Sequence, residues 1–302
     1  MKPSPEWMQR RERGSLALLR LMCRTSLLAG RGPSRIVLHG IALYFSLTAP
    51  QARRASRAYL KKALGRPPSF RDLFRHILHF STTIHDRIYQ LNDRQDLFEI
   101  RIFGAEPLHS LHVGGKGCFL FGAHLGSFEM LRSVARDHGG LRVSVAMFPE
   151  NARQIHDTLA SINPKVVLDL IALGKIDSML EIHRRIEEGA MVGILADRAS
   201  GPDRYLELPF LGKPARFPTG PFRMAAMLRH PVFFMAGLYQ GGNRYDVHFE
   251  LLNDFSSSAS REEEIRLTME RYVAALERHC RESPFNWFNF YDFWKAPDCE
   301  NP

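Results

Sequence analysis

The sequence predicts an α/β fold: a mixed, mostly parallel sheet flanked by helices, preceded by a helical N-terminal segment. Three observations carry this. Cys118–Phe121 and Met191–Ala196 are short continuous apolar runs, the pattern of strands buried on both faces. Such runs alternate with stretches of helical periodicity, which is the signature of strands joined by packed helices. The composition is that of an ordinary globular chain: 302 residues, 45% hydrophobic and 24% charged, enough for a sizeable core without staples.

Taken in order, residues 1–35 mix arginines with apolar runs. Arg10, Arg11, Arg13, Arg20, Arg24, Arg31 and Arg35 interrupt Leu16–Leu19, Leu21–Cys23 and Leu27–Ala29. Residues 36–49 form a second apolar run with one His and no full charge. Neither run reaches the roughly 20 apolar residues that span a bilayer. The combination reads as helices lying in a membrane interface, arginines at the headgroups and Leu, Met and Phe below them; a buried helical hairpin with a basic outer face is the alternative. Residues 51–95 continue helical and basic. Arg66-Pro67-Pro68 breaks the pattern, Ser69 caps the next helix, and Phe70, Leu73, Phe74, Ile77, Leu78 and Ile84 recur on one face.

From residue 98 the elements alternate. Strands are expected at 98–103, 118–121, 142–147, 165–169, 191–196, 231–238 and 245–251. Helices are expected at 127–137, 151–161, 175–188, 217–229 and, from a Ser260/Glu263 capping box, 260–281. Residues 1–95 are taken as a basic helical, membrane-associating segment and 96–302 as one α/β domain.

Charge and cysteines narrow the partners. Residues 1–100 hold 18 Lys and Arg against 7 Asp and Glu, a net +11, which leaves −2 for the rest of a chain of +9. An N-terminal excess of this kind suits an anionic partner. The cations are interleaved with Leu, Ile and Met and no nucleic-acid motif accompanies them, which favours a lipid surface over nucleic acid. Cys23, Cys118, Cys280 and Cys299 form no CxxC pair, and no secretory signal is apparent, so a reducing cytosolic setting is expected, with no disulfide framework, metal or organic cofactor. His112, His138 and His183 show no ligand-like partners in sequence and read as ordinary surface or core residues.

The chemistry concentrates in Cys118-Phe-Leu-Phe-Gly-Ala-His124-Leu-Gly-Ser-Phe-Glu129. A buried strand runs into a tight turn and a helix begins. His124 thus stands at the carboxyl end of a strand, where open α/β sheets bind ligands. Gly122 and Gly126 permit close backbone approach. A histidine can take the proton of an attacking hydroxyl, and a carboxylate on its other ring nitrogen fixes the tautomer. Glu129, one turn into the helix, is the acid nearest in sequence.

His124-Leu-Gly-Ser-Phe-Glu129 resembles the His-x4-Asp/Glu motif of the late lipid A acyltransferases, the lauroyl and myristoyl transferases of lipopolysaccharide synthesis. Ile194-Leu-Ala-Asp197-Arg198-Ala-Ser-Gly201-Pro202 is similar to that family's second block, Leu208-Pro209-Phe210-Leu211-Gly212 to its Pro-Phe-Phe-Gly stretch, and Phe217-Pro-Thr-Gly220 with Leu228-Arg-His-Pro231 to its next helix and strand. The order and spacing of these blocks, over roughly residues 7–295, are more specific than any one of them. The resemblance implies a glycerolipid-acyltransferase-like fold, an acyl-carrier-protein thioester donor, a lipid or glycolipid acceptor and the cytoplasmic face of the inner membrane. It implies His124 and Glu129 as the catalytic pair, with Gly126, Asp197, Arg198, Gly201 and Arg216 at the substrate.

The sequence also departs from the family. Where an arginine follows the next strand, the nearest candidate is Arg153. The tail holds Trp287, Phe288, Phe290, Tyr291, Phe293 and Trp294, closer to the branch associated with aryl polyene and related pigment-lipid clusters. These aromatics either line an acyl pocket, sit at a membrane interface or dock on the core. A glycerophosphate or lysophospholipid acyltransferase is the runner-up, disfavoured because Phe217-Pro-Thr-Gly lacks the Glu and Arg of that group's block. A non-catalytic membrane- or nucleic-acid-binding protein is the alternative of another class.

Overall fold

Four helices open the structure, a computed structural model that describes residues 16–130, 142–149, 162–163, 169–174, 176–198 and 204–294. They are α1 (Leu16–Ala29), α2 (Arg31–Thr48), α3 (Pro50–Ala63) and α4 (Phe70–Gln90). Gly30 separates the first two at φ +83°. Pro50 opens α3, where its missing N–H costs nothing. Ser69 caps α4 by accepting from the Asp72 amide while Asp72 accepts from the Ser69 amide. Among the described residues no helix is long and apolar enough to cross a membrane.

The sheet follows. Its strands are β1 (Glu99–Phe103), β2 (Cys118–Gly122), β3 (Val143–Met147), β4 (Leu170–Ala172), β5 (Met191–Leu195), β8 (Val232–Gly241) and β9 (Arg244–Asn253), in the spatial order β1-β9-β8-β2-β5-β3-β4. Every pairing is parallel except the β8–β9 hairpin. Helices α5 (Glu106–Val113), α6 (Ile176–Glu187), α7 (Gly220–Leu228) and α8 (Arg261–Glu282) complete the described elements, and Ser260 with Glu263 caps the last as expected. The fold is therefore mixed α/β with a mostly parallel seven-stranded sheet.

β2 is buried along its whole length, and its alternation divides the core. Phe119 and Phe121 join one cluster, with Ile194, Phe234 and Trp287. Cys118 and Leu120 join another, with Met191, Phe233 and Tyr245. Tyr59 and Leu60 of α3 and Leu73 of α4 lie in the first cluster, so these helices share the sheet's core. Asp86 of α4 bolts three elements together: it accepts two hydrogen bonds from Arg31 of α2, both 2.7 Å, and one from the Tyr245 hydroxyl of β9 at 2.8 Å.

Some expectations shift. Of the strand expected at 165–169 only Asp169 lies within the described residues; a strand is described directly after it, at Leu170–Ala172. The expected helix at 151–161 lies outside them as well, and of 127–137 only the first residues lie within. The helix expected from Phe217 starts at Gly220, because Phe217 and Pro218 are still paired with Leu206 and Tyr205 in a hairpin, β6 (Tyr205–Phe210) and β7 (Lys213–Pro218). Its prolines hide it from a pattern search, but a two-stranded ribbon has free edges where proline is tolerated. Leu211 and Gly212 turn it with φ +50° and +76°, the positive pair of a tight hairpin turn.

Candidate active site

The register of β2 against β5 builds the site. Gly122 lies opposite Leu195 in parallel strands, so the residues two further on, His124 and Asp197, emerge side by side at the carboxyl end of the sheet. The His124 Nδ1 is 2.8 Å from Asp197 Oδ1, and the His124 amide donates to Asp197 Oδ2 at 3.1 Å. Asp197 is fully buried and His124 is 27% exposed, so the carboxylate lies behind and the imidazole reaches outward.

Asp197 has further donors. The Trp287 indole N–H and the Asn289 amide each reach Oδ2 at 3.3 Å. Burial alone would raise the Asp197 pKa, but His124, Arg198 and the His124 amide outweigh it and hold the carboxyl well below the usual range. An ionised Asp197 keeps the proton of His124 on Nδ1. The Nε2 lone pair then faces outward, where Arg198 Nε donates to it at 3.1 Å. Burial holds the imidazole below its ordinary pKa; Arg198 lowers it further and Asp197 opposes them. The result is a neutral, oriented imidazole with a basic nitrogen at the sheet's mouth.

The turn that presents His124 is fixed by its backbone. Gly126 sits at φ +72°, and a Cβ there would lie 2.0 Å from the Gly237 carbonyl oxygen. The Gly126 amide donates to Asn286 O, the Ser127 amide to Gly237 O and the Phe288 amide to His124 O. Asn286 is itself held by β8, accepting from Tyr239 N and donating to Tyr239 O. Of the sequence alternatives for the aromatic tail, docking on the core is the one seen. Trp287 is fully buried, between Tyr59, Phe210 and Phe293.

A comparison with known protein families matches residues 75–296 to the bacterial lipid A biosynthesis acyltransferases. The chain belongs to that family. It is accordingly an acyltransferase. A search of curated proteins found no match.

In this acyltransferase the expected site residues separate into groups. His124, Asp197 and Arg198 come together. Glu129 does not reach the His124 ring: its carboxylate pairs with Arg87 Nε at 2.7 Å and accepts from Ser127 Oγ at 3.3 Å, so it is drawn toward α4. The carboxylate on Nδ1 is Asp197, a correction to the expectation that Glu129 folds back on His124. Gly126 contributes its backbone turn. Arg216 lies on the exposed face of the β6–β7 hairpin, opposite Glu207, while the arginine at His124 is Arg198. Gly201 and Arg153 lie outside the described residues.

Trp287 and Asn289 were missed as partners of Asp197. Their only sequence signal was an aromatic, amide-bearing tail. His183, read as an ordinary residue, has a partner after all: its Nδ1 is 2.8 Å from His230 Nε2.

Proposed function

We propose that this acyltransferase moves a fatty acyl group from an acyl-carrier-protein thioester to a hydroxyl of a glycolipid or lipid-linked acceptor at the cytoplasmic face of the inner membrane. The observation that carries the reading is the His124–Asp197 pair with Nε2 turned outward. The acceptor hydroxyl displaces Arg198 from Nε2 and gives its proton there as its oxygen attacks the thioester carbonyl. The C–S bond breaks, the carrier's thiolate leaves, and the imidazolium returns the proton to it. Asp197 holds the tautomer and stabilises the imidazolium. Arg198, freed from the ring, is placed to meet the oxyanion or an acceptor phosphate. Glu129, the acid of the His-x4-Glu motif, acts on the site through its ion pair with Arg87.

The membrane reading rests on α1 and α2. Leu21, Leu28, Ile36, Val37, Leu43, Tyr44, Phe45 and Leu47 are exposed there, beside a net charge of +11 in the first 100 residues. Arg53, Arg54 and Arg57 with Pro50 line a shallow concavity on α3. It suits anionic headgroups or the acidic surface of a carrier protein. The aromatic tail supports placing the chain nearer the branch associated with aryl polyene and pigment-lipid clusters.

The test is to incubate the purified protein with radiolabelled acyl-carrier-protein thioesters of several chain lengths and a total membrane lipid extract, with His124→Ala alongside. A labelled lipid made only by the wild type supports the reading, and its identity names the acceptor. Equal labelling by His124→Ala sinks the mechanism. No product from folded protein sinks the donor and acceptor assignment.

A further inference from the structure

The parallel strands β2 and β5 carry His124 and Asp197 just past their carboxyl ends, and the opposite ends of β2, β5 and β8 lie by a second cluster of histidine and carboxylate. His183 and Glu187 stand one turn apart at the end of α6, and so share a helix face. His230 lies in the short link between α7 and β8. His183 Nδ1 is 2.8 Å from His230 Nε2, and Glu187 Oε1 is 3.6 Å from the same His230 nitrogen. One ligand atom from each of the three lies within 4.8 Å of the others. The segments that carry them are tied to the start of β2: the Gly117 amide donates to Ile186 O at 3.0 Å and the Phe119 amide to Pro231 O at 2.8 Å. Five strand residues, about 17 Å at ~3.3 Å each, separate this end of β2 from the His124 end.

A single proton between the two imidazoles accounts for the His183–His230 contact; carried by His230 Nε2 it also faces Glu187, which at 3.6 Å stands beyond hydrogen-bond distance. If His183 is the donor, Glu187 faces a lone pair. A cation satisfies all three groups at once. Two imidazoles and a carboxylate are the donor set of zinc and its neighbours among the divalent transition metals. Ligands about 2.0–2.1 Å from zinc in a tetrahedron stand roughly 3.3 Å apart, so the two ring nitrogens, 2.8 Å apart, need part by only about half an ångström. Glu187 is 63% exposed on its side chain and free to swing in.

We propose that His183, Glu187 and His230 bind one divalent transition-metal cation of the zinc class, with water or an anion completing its coordination. The bound ion clamps the end of α6 to the start of β8, away from the acyl-transfer site, so it is a structural or regulatory site. The proposal stands apart from the assignment of donor and acceptor.

The test uses the full chain stripped with chelator and titrated with Zn²⁺ alone by calorimetry, then with Co²⁺ by absorbance. One equivalent of Zn²⁺ is expected, together with the intense visible bands of low-symmetry Co²⁺. Both are lost in His183→Ala and His230→Ala and weakened at least tenfold in Glu187→Gln. Zn²⁺ is expected to raise the thermal midpoint of the wild type and leave that of His183→Ala unmoved. Should His230→Ala fold poorly, His183→Ala and Glu187→Gln, both on the outer turn of α6, decide the matter. No stoichiometric uptake by the wild type, or uptake unchanged in His183→Ala and Glu187→Gln, overturns the proposal.

Discussion

Two acids compete for the role of orienting His124, and their surroundings separate them. Asp197 is buried, touches Nδ1 and receives three further N–H donors. Glu129 is spent on Arg87 and Ser127. Asp197→Asn is therefore expected to lower kcat by about 10³–10⁴-fold, since an amide oxygen or nitrogen on Nδ1 no longer enforces one tautomer. Glu129→Gln should cost less, within about 10²-fold, through a displaced Arg87. Steady-state rates of acyl transfer measure both. The reverse ranking would return the orienting role to Glu129. Because burial and Arg198 depress the His124 pKa, the basic form persists to lower pH than for an ordinary histidine. The acid limb of kcat/KM should have its midpoint below about 6.5, the unperturbed value. Asp197 is the group that opposes the depression, so Asp197→Asn should move that limb to still lower pH. A limb that moves up instead would contradict this electrostatic account. The histidine itself was legible because a base at the end of a buried strand has few structural reasons to be there. Its partner was not, because proximity in sequence favours Glu129, five residues away, over Asp197, which only the pairing of β2 with β5 brings alongside.

That pairing belongs to the elements, which explain which parts of the site a pattern of residues can reveal. Buried strands and capped helices announce themselves locally, and β2, β5, β8, α4 and α8 lie within a few residues of where periodicity and capping boxes put them. Sheet order is non-local: β5 is separated from β2 in the chain by β3 and β4, yet lies beside it. The β6–β7 hairpin was missed for a different reason. Leu206, Leu208 and Phe210 alternate as a strand does, but Pro209 and Pro214 argue against pairing and Leu211-Gly212 is not one of the usual hairpin-turn pairs. The docking of the tail is likewise a matter of long-range hydrogen bonds, with Asn286 satisfying Tyr239 and Trp287 closing over Asp197. Gly126 is the joint where strand, turn and tail meet, and it is the sharpest test of this assembly. Gly126→Ala would force a Cβ to 2.0 Å from the Gly237 carbonyl in a backbone region unfavourable to alanine. It should destabilise by several kcal/mol, more than the roughly 1 kcal/mol expected for Ser69→Ala at the α4 cap. Urea unfolding of the two variants side by side checks the order. A near-neutral Gly126→Ala would mean that the turn relaxes, and that the tail does not depend on it.

For the whole molecule, we propose that the charged, apolar helices meet a lipid surface. The exposed apolar side chains of α1 and α2 are concentrated at one end of the chain, and so is the positive excess. Neither feature alone selects a lipid partner, since exposed leucines also make protein interfaces and cations also bind nucleic acid. Together they fit the partner proposed above, anionic outside and apolar just beneath, as a bilayer with acidic headgroups would be. The two contributions separate experimentally. Leu28 and Ile36 are among the most exposed of these residues, and each can bury a side chain worth about 1.5–3 kcal/mol. The double variant Leu28→Asp, Ile36→Asp should therefore weaken flotation with anionic vesicles by well over tenfold at any salt concentration. Added salt should weaken the wild type through its arginines, each worth about 1 kcal/mol near an acidic surface, and should do little on neutral vesicles. Neither residue lies in the His124 site, so acyl transfer to a detergent-dispersed acceptor should survive the double variant while transfer to a vesicle-borne acceptor falls. Loss of both activities would mean that α1 and α2 are needed to assemble the site. Flotation unchanged by the double variant would move the membrane contact elsewhere, and would leave the apolar face of α1 and α2 to a protein.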